Sequence, residues 1–409
     1  MRGGKKLNEK TKANNPSVFM DYLKIILVNI IIFGLVSFVL KADYLVSLLS
    51  LVVIIAALLY LEKKGFISKI FSLFIRHKVV AFVSALILMC IVPFVLASNR
   101  YVVHIAVLAC LYGVVALGLN FQMGSTDMTN FATAVFFGVG AYASGVTSMR
   151  LGINPWWGIL IAVAAAVLVG LIIGVPTLRT KGYYLSLVTM ALQLVFSMTI
   201  ILFQFFGGPD GMAGLPGFEI FGFDLGMTHN LFGVKLPYQV NYLFLAMIVL
   251  ILATYVAMRT NISRSGLALN NIAQDETAAN CLGINVTRQK LLAFCLGSAF
   301  CGVAGAIYGQ YMMFVGPDDF DFNKSLIFIC MVILGGMDNP IGVLVGAFII
   351  TVINEKLRDF ADYQMLFYGI ILMTVLIARP KGLIPKRVRN YCEVFKLSVV
   401  KHEHIKEEA

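Results

Sequence analysis

Charge is scarce in this chain, and so are the constellations that most chemistry needs. Only 13% of its 409 residues are charged, against about 25% in soluble domains. Apolar residues make up 59%, and the mean hydropathy is +0.88. This composition excludes a soluble globular domain and predicts many membrane crossings. The seven cysteines form no CxxC pair. Cys90, Cys110, Cys295, Cys301 and Cys330 lie in apolar runs and read as small core residues. The five histidines are scattered, with only His402 and His404 close together, so no metal site is expected. No G-x-x-x-x-G-K-[ST] phosphate loop is present, so the chain is not expected to bind ATP by that route. GxSxG and HExxH are missing too. No converging catalytic groups are visible, and no cofactor is expected.

Charges are also rare deep inside the apolar runs. A charge at a helix centre costs about 2.5–3.5 kcal/mol on insertion scales, so proton relays and ion-coupled carriers display the ones they use. Here the deep polar residues are His104, Asn120 and Gln193. That argues against a proton-driven carrier. It argues less strongly against a sodium-driven one, which can use backbone carbonyls. A lone His104 reads as a satisfied core histidine.

The net charge of +11 would suit nucleic acid, but the Lys and Arg residues gather between apolar runs and at the termini. That pattern sets orientation in a bilayer and speaks against nucleic-acid binding. The basic start, MRGGKKLNEKTK, precedes no small-residue cleavage signature, so no removable signal is expected.

The runs follow in order. Tyr22–Leu40 and Tyr44–Leu61 make a hairpin, with Lys24 placed to snorkel. The basic stretch after it contains Phe66–Arg76, which suits an interfacial helix. Then come Val79–Leu96, Tyr101–Gln122, Phe131–Met149, Trp157–Val175 and Tyr184–Phe206, with Trp156 and Trp157 as interfacial anchors. Asn241–Met258 and Leu291–Val315 follow, then two short runs, Ser325–Leu334 and Ile341–Ile353, and last Met365–Ala378. The short runs span only ~15–20 Å each, less than the ~30 Å core. They form either a re-entrant pair or short helices packed inside the bundle. Basic loops fall on one side, and the loops Gly207–Val240 and Gly316–Lys324 on the other. Counting the short pair, about twelve crossings leave both termini cytoplasmic.

Two polar breaks interrupt this scheme at membrane depth, Gly124–Asn130 and Gly335–Pro340. Non-helical backbone there is buried in protein or lines a watery cavity. Asn120, Ser125, Thr126, Thr129 and Asn130 either border a path for a polar solute or mark a plain interfacial turn. Between apolar runs lies the one substantial polar, helix-forming segment, Arg259–Lys290. Ser263 or Ser265 can cap a first helix and Asp275 a second. Glu276 then sits where the helix dipole favours an anion, and Gly283 stands where a left-handed cap is wanted. Thr287 could cap the next membrane helix. The second helix is about two turns long, marginal alone. Ala278 and Ala279 would let another surface approach, with Cys281 and Leu282 as apolar contacts. The segment reads as a docking helix for a cytosolic protein or as an amphipathic connector on the membrane surface.

Six stretches together resemble the permease subunits of branched-chain amino acid ABC transporters of the LivM kind. They are LGLNFQMGSTDMTNFATAVFFGVGAYASG (117–145), PTLRTKGYYLSLVTMAL (176–192), GGPDGMAGLPG (207–217), SGLALNNIAQDETAANCLGINVTRQKLLAF (265–294), MVILGGMDNPIGVLVGA (331–347) and ARPKGL (378–383). The resemblance covers about Val79–Arg387. It implies an all-α polytopic membrane protein of about 10–12 transmembrane helices with the ABC importer permease fold. The implied domains are a basic N-terminal segment and extra hairpin (1–78), a core permease domain (79–387) with a cytosolic coupling loop (259–290), and a cytosolic tail (388–409).

The resemblance assigns Asp275, Glu276, Ala278, Ala279 and Gly283 to coupling with a separate ATPase. The chain departs from the pattern in two places. Arg264, Ser265 and Gly266 stand for the usual GR, and LLAF (291–294) replaces the wider loop's I-x-L-P. The implied partners are a second permease subunit, two cytosolic ATPase subunits, an extracytoplasmic substrate-binding protein and the lipid bilayer of the cytoplasmic membrane. The implied cargo is branched-chain amino acids, or the urea and short amides of sister families. The alternative from another class is an ion-coupled secondary transporter.

Overall fold

The computed structural model describes residues 16–42, 44–64, 78–97, 99–177, 183–220, 223–231, 234–358, 363–378 and 382–384. The expected interfacial helix at 66–76 and the tail at 388–409 lie outside these residues. Helices dominate: α1 (Pro16–Lys41), α2 (Tyr44–Lys63), α3 (Lys78–Leu96), α4 (Arg100–Thr126), α5 (Thr133–Arg150), α6 (Pro155–Thr177) and α7 (Tyr183–Leu202). They continue with α8 (Tyr238–Ile262), α9 (Arg264–Gln274), α10 (Glu276–Cys281), α11 (Val286–Met312), α12 (Phe322–Gly335), α13 (Pro340–Lys356) and α14 (Gln364–Ala378). Among the described residues, six helices (α1, α4, α6, α7, α8 and α11) are long and apolar enough to cross a membrane.

The centre is α4, nearly all of it buried, with α8, α11 and α13 packed on it and α5 packed in turn on α11. The helix contacts explain the small residues of these runs. A Cβ on Gly140 of α5 would strike Gly302 of α11, and one on Gly305 would strike the Phe137 carbonyl. Gly118 of α4 meets the Gly297 carbonyl within 2.8 Å of where a Cβ would stand. In lipid no hydrophobic drive separates helix from tail, so such close packing supplies the association. Around it Tyr112, Phe137, Tyr308, Phe320 and Phe328 interlock edge to face or tilted.

The deep polar residues are satisfied inside. His104 Nδ1 lies 2.7 Å from the Tyr311 hydroxyl, as a core histidine should. Gln193 donates to the Phe320 carbonyl and accepts from Ser325 Oγ at 3.1 Å. Trp157 is exposed, whereas Trp156 donates from its indole to Glu219 O at 2.8 Å and packs on Phe218. The glycine-rich loop after α7 is thus folded back as a cap. Its Met212–Ala213 strand pairs antiparallel with Phe314–Val315.

The two short runs prove to be α12 and α13, antiparallel partners packed inside the bundle against α4. The end of α13 lies with the start of α4, whereas the start of α12 lies beside Tyr112, over whose ring Lys324 sits. Lys356 at the end of α13 reaches the Ala42 carbonyl, and Tyr101 reaches the Glu355 carbonyl. Their turn, Gly336–Asn339, reaches the far end of α4.

Candidate functional site

The polar break after α4 is narrower than the sequence suggests. The helix runs through Ser125 and Thr126 and stops at Asp127, whose φ of +55° is left-handed. The Gln122 carbonyl holds this end, accepting from the Asp127 and Met128 amides and from Thr126 Oγ1 at 2.7 Å. Asn130 Nδ2 donates to Gln122 Oε1 at 2.7 Å, and Asn130 Oδ1 caps the Ala132 amide at 2.8 Å. The half-buried Thr129 offers its carbonyl to Ser186 Oγ at 3.4 Å. Asn120, Ser125, Thr126 and Asn130 are all buried to 2% exposure or less.

The second break meets the first. Asn120 Oδ1 accepts the Asp338 amide at 2.8 Å, and Ser125 Oγ donates to Asp338 Oδ1 at 2.8 Å. Gly124 lies so close to Asn120 Oδ1 and the Asp338 amide that no Cβ fits there. Asp338 is left-handed at φ +64°, a conformation Asp tolerates better than most residues. A third segment closes the junction. Leu383 and Ile384 donate their amides to Leu334 O and Gly335 O at 2.9 and 3.1 Å, and Asn339 Nδ2 donates to Ile384 O at 3.2 Å. Three stretches far apart in sequence thus satisfy one another's backbone inside the protein, as non-helical backbone shielded from water must. Asp338 and Gln122 were not singled out from sequence. An aspartate between two short apolar runs was the available signal for the first.

The loop between α8 and α11 packs against this end of the bundle. Ser263 caps α9, accepting the Gly266 amide at 3.2 Å. Gly266, Leu269 and Ile272 turn inward, and α9 rests on α4 and α11. Asp275 caps α10 through Oδ1, accepting Thr277 N at 2.7 Å and Ala278 N at 3.1 Å. That helix is only six residues long, shorter than expected. At its end Gly283 (φ +79°) donates to Asn280 O at 2.9 Å, and Ile284 to Ala279 O at 3.1 Å. This paired pattern is the Schellman cap, which needs the left-handed glycine.

Two details correct the sequence reading. Asn285, not Thr287, caps α11, accepting the Arg288 amide at 3.0 Å. The two alanines face opposite ways. Ala279 is 1% exposed and packs with Ile272, Ile284 and Val286 of its own chain, so it offers no outside surface. Glu276 does more than face the helix dipole, because it pairs with Lys290 in the second turn of α11. Held at both ends and from beneath, α10 presents Ala278, Cys281 and Leu282, the last 73% exposed. The spacing i, i+3, i+4 places these three on one face.

Residues 101–376 match the family model described as branched-chain amino acid transport system / permease component. The chain is 31% identical over 316 residues to the high-affinity branched-chain amino acid transport system permease protein LivM of Escherichia coli K12, covering 74% of each. It is 24% identical over 330 residues to a probable LivM permease of Methanocaldococcus jannaschii, covering 68% of this chain and 91% of that protein. It is also 25% identical over 286 residues to the LivH permease protein of Salmonella typhimurium, covering 67% of this chain and 91% of that one. No solved structure matches it.

Proposed function

Because the chain belongs to the branched-chain amino acid transport permease family, we propose that it is the LivM-like translocating subunit of an ATP-driven importer. Its cargo is branched-chain amino acids, with urea or short amides as the competing solutes. A second, LivH-like permease subunit completes the translocation unit, two cytosolic ATPase subunits hydrolyse ATP, and an extracytoplasmic binding protein delivers the cargo. The chain sits in the cytoplasmic membrane with both termini in the cytoplasm. Residues 79–387 form the core permease domain, 1–78 an added basic segment and hairpin, and 388–409 a cytosolic tail.

One observation carries this reading. The helix α10 is too short to be stable alone, yet it is capped at both ends, tied by Glu276–Lys290, and turned so that Leu282, Ala278 and Cys281 face solvent. A connector has no use for such a rigid apolar point. A socket on an ATPase has. Asp275, Glu276, Ala279 and Gly283 build the helix, and Ala278 belongs to its contact face. Movement of α10 would pass through α9 to the end of α4, and so to the junction of Asn120 and Ser125 with Asp338. The cargo path runs beside that junction. Asn120, Ser125, Thr126, Thr129 and Asn130 shape its wall, holding backbone in place with the hydrogen bonds already described.

The test is radiolabelled leucine uptake into vesicles holding this chain and its partners, with and without ATP, beside an Ala278→Arg/Leu282→Arg variant. Both sites are exposed, so the variant should still insert. ATP-dependent uptake that the variant abolishes supports the whole reading. Uptake that needs no ATPase and follows an ion gradient overturns it in favour of a secondary carrier. Partner ATPase activity that the variant abolishes, without leucine uptake, keeps the coupling and moves the cargo to urea or amides.

A further inference from the structure

A cavity of about 280 Å³ lies in the seam between α1 and α3 on one side and α4, α8 and α13 on the other. Its walls are aliphatic and aromatic side chains, among them Val36, Leu88, Ala106, Ala109, Leu243 and Phe348. The one amide among its described lining residues, Asn29, donates internally to Ser84 Oγ at 2.7 Å. A polar solute would leave nearly all of its hydrogen bonds unmade against such walls, and an apolar one would lose nothing. The cavity opens beside Ile32, which is 55% exposed on the outer face of α1.

Its length is informative. The lining residues of α1 run from Asn29 to Leu40, eleven positions or about 16 Å at the helical rise. Half of a hydrocarbon core is about 15 Å. The slot therefore matches one leaflet, not the whole bilayer. Leu40 and Leu96 mark its shallow end. Lys41, exposed, follows Leu40 directly, and Arg100, exposed, stands one turn beyond Leu96 at the start of α4. Lys356 also lies at this end, donating to Ala42 O at 2.9 Å. Glu355 is the one described acid beside them, and Asp43, Asp359 and Asp362 fall outside the described residues.

We propose that this slot holds one acyl chain of a membrane phospholipid, with the phosphate facing Lys41 and Arg100. The lipid fills the seam between the N-terminal helices and the family core, which direct contacts leave open. The proposal stands independently of the cargo and of the ATPase.

The experiment uses the full-length chain in mild detergent and native mass spectrometry with added dioleoyl phosphatidylglycerol. One lipid should survive a delipidating wash on the unmodified chain. Ala109→Trp, which fills the slot, should lower that occupancy at least about tenfold, a loss of roughly 1.4 kcal/mol. Ile30→Trp, on the exposed face of the same helix outside the lining, should leave it unchanged. Lys41→Ala/Arg100→Ala should raise the lipid concentration needed for half-occupancy, and an unchanged value would overturn the phosphate contact. A photo-crosslinking residue at Ile32 tests the same point without filling the core. A phospholipid adduct supports the proposal, and an adduct to a partner polypeptide overturns it by making the slot a helix socket. Equal lipid occupancy on the unmodified and Ala109→Trp chains would overturn it too.

Discussion

Ser125 and Asp338 stand 213 positions apart in the chain and share a 2.8 Å hydrogen bond, hydroxyl to carboxyl, in the buried end of the bundle. Asn120 completes the arrangement by accepting the Asp338 amide. The left-handed aspartate is thereby held from the side chain and from the backbone, and the α12–α13 turn is registered on α4. A loss at either contact removes one of the hydrogen bonds that hold Asp338.

Ser125→Ala should lower the stability of the purified chain by about 1 kcal/mol, the net worth of one buried hydrogen bond. Gly124→Ala should cost at least as much, because its Cβ would meet Asn120 and Asp338. Thermal unfolding in detergent reads both. Equal melting of Gly124→Ala and the unmodified chain would show that the junction gives way freely.

The alanine pair separates structure from docking. Ala279→Arg should destabilise the loop, since it forces a charge among Ile272, Ile284 and Val286. Leu282→Arg should leave melting within about 0.5 kcal/mol, as exposed substitutions do, while ending ATP-dependent transport. Melting and uptake measured on both variants must split in this way. If both variants fail in both assays, the exposed face has no separate role.

Gly283→Ala should cost about 1 kcal/mol locally, because a Cβ at φ +79° is strained although nothing crowds it. Gly283→Asn should cost less. Hydrogen exchange at Gly283 and Ile284 should quicken in the alanine variant and change little in the asparagine one.

Asp319, in the turn between α11 and α12, gives a pH dependence. Burial raises its pKa above the ordinary 3.8, against the opposing pull of the Gly316 amide, Lys324 and the Tyr308 hydroxyl. A raised folded value means the neutral acid fits the fold better. Its stabilising contribution is then complete below the unfolded value and is lost as pH rises through the folded one. Melting followed upward from pH 4 should fall more steeply for the unmodified chain than for Asp319→Asn. Parallel curves would refute the shift.

Much of this molecule was readable from residue order. The apolar runs announced the spans, because a bilayer core demands long uncharged helices whatever their neighbours. Asp275 revealed itself as a cap, Ser263 as one of two candidates with Ser265, and Gly283 as a left-handed stop, since capping depends on a few adjacent residues. His104 read correctly as a core residue. The family was legible from six motifs in sequence.

The rest needed the third dimension. Nothing local tells which alanine of a pair faces inward, and only the packing of α9 and α11 turned Ala279 in and left Leu282 out. The narrowing of the first polar break came from Gln122, whose carbonyl and amide hold the end of α4. The pairing of Glu276 with Lys290 and of Ser125 with Asp338 joins distant positions. Sequence by itself determined the membrane class, the helices and the Asp275 and Gly283 caps, because these follow from hydrophobicity and near neighbours. Tertiary structure alone decided which breaks meet and which face of α10 stays exposed, because each depends on contacts between residues that only the fold brings together.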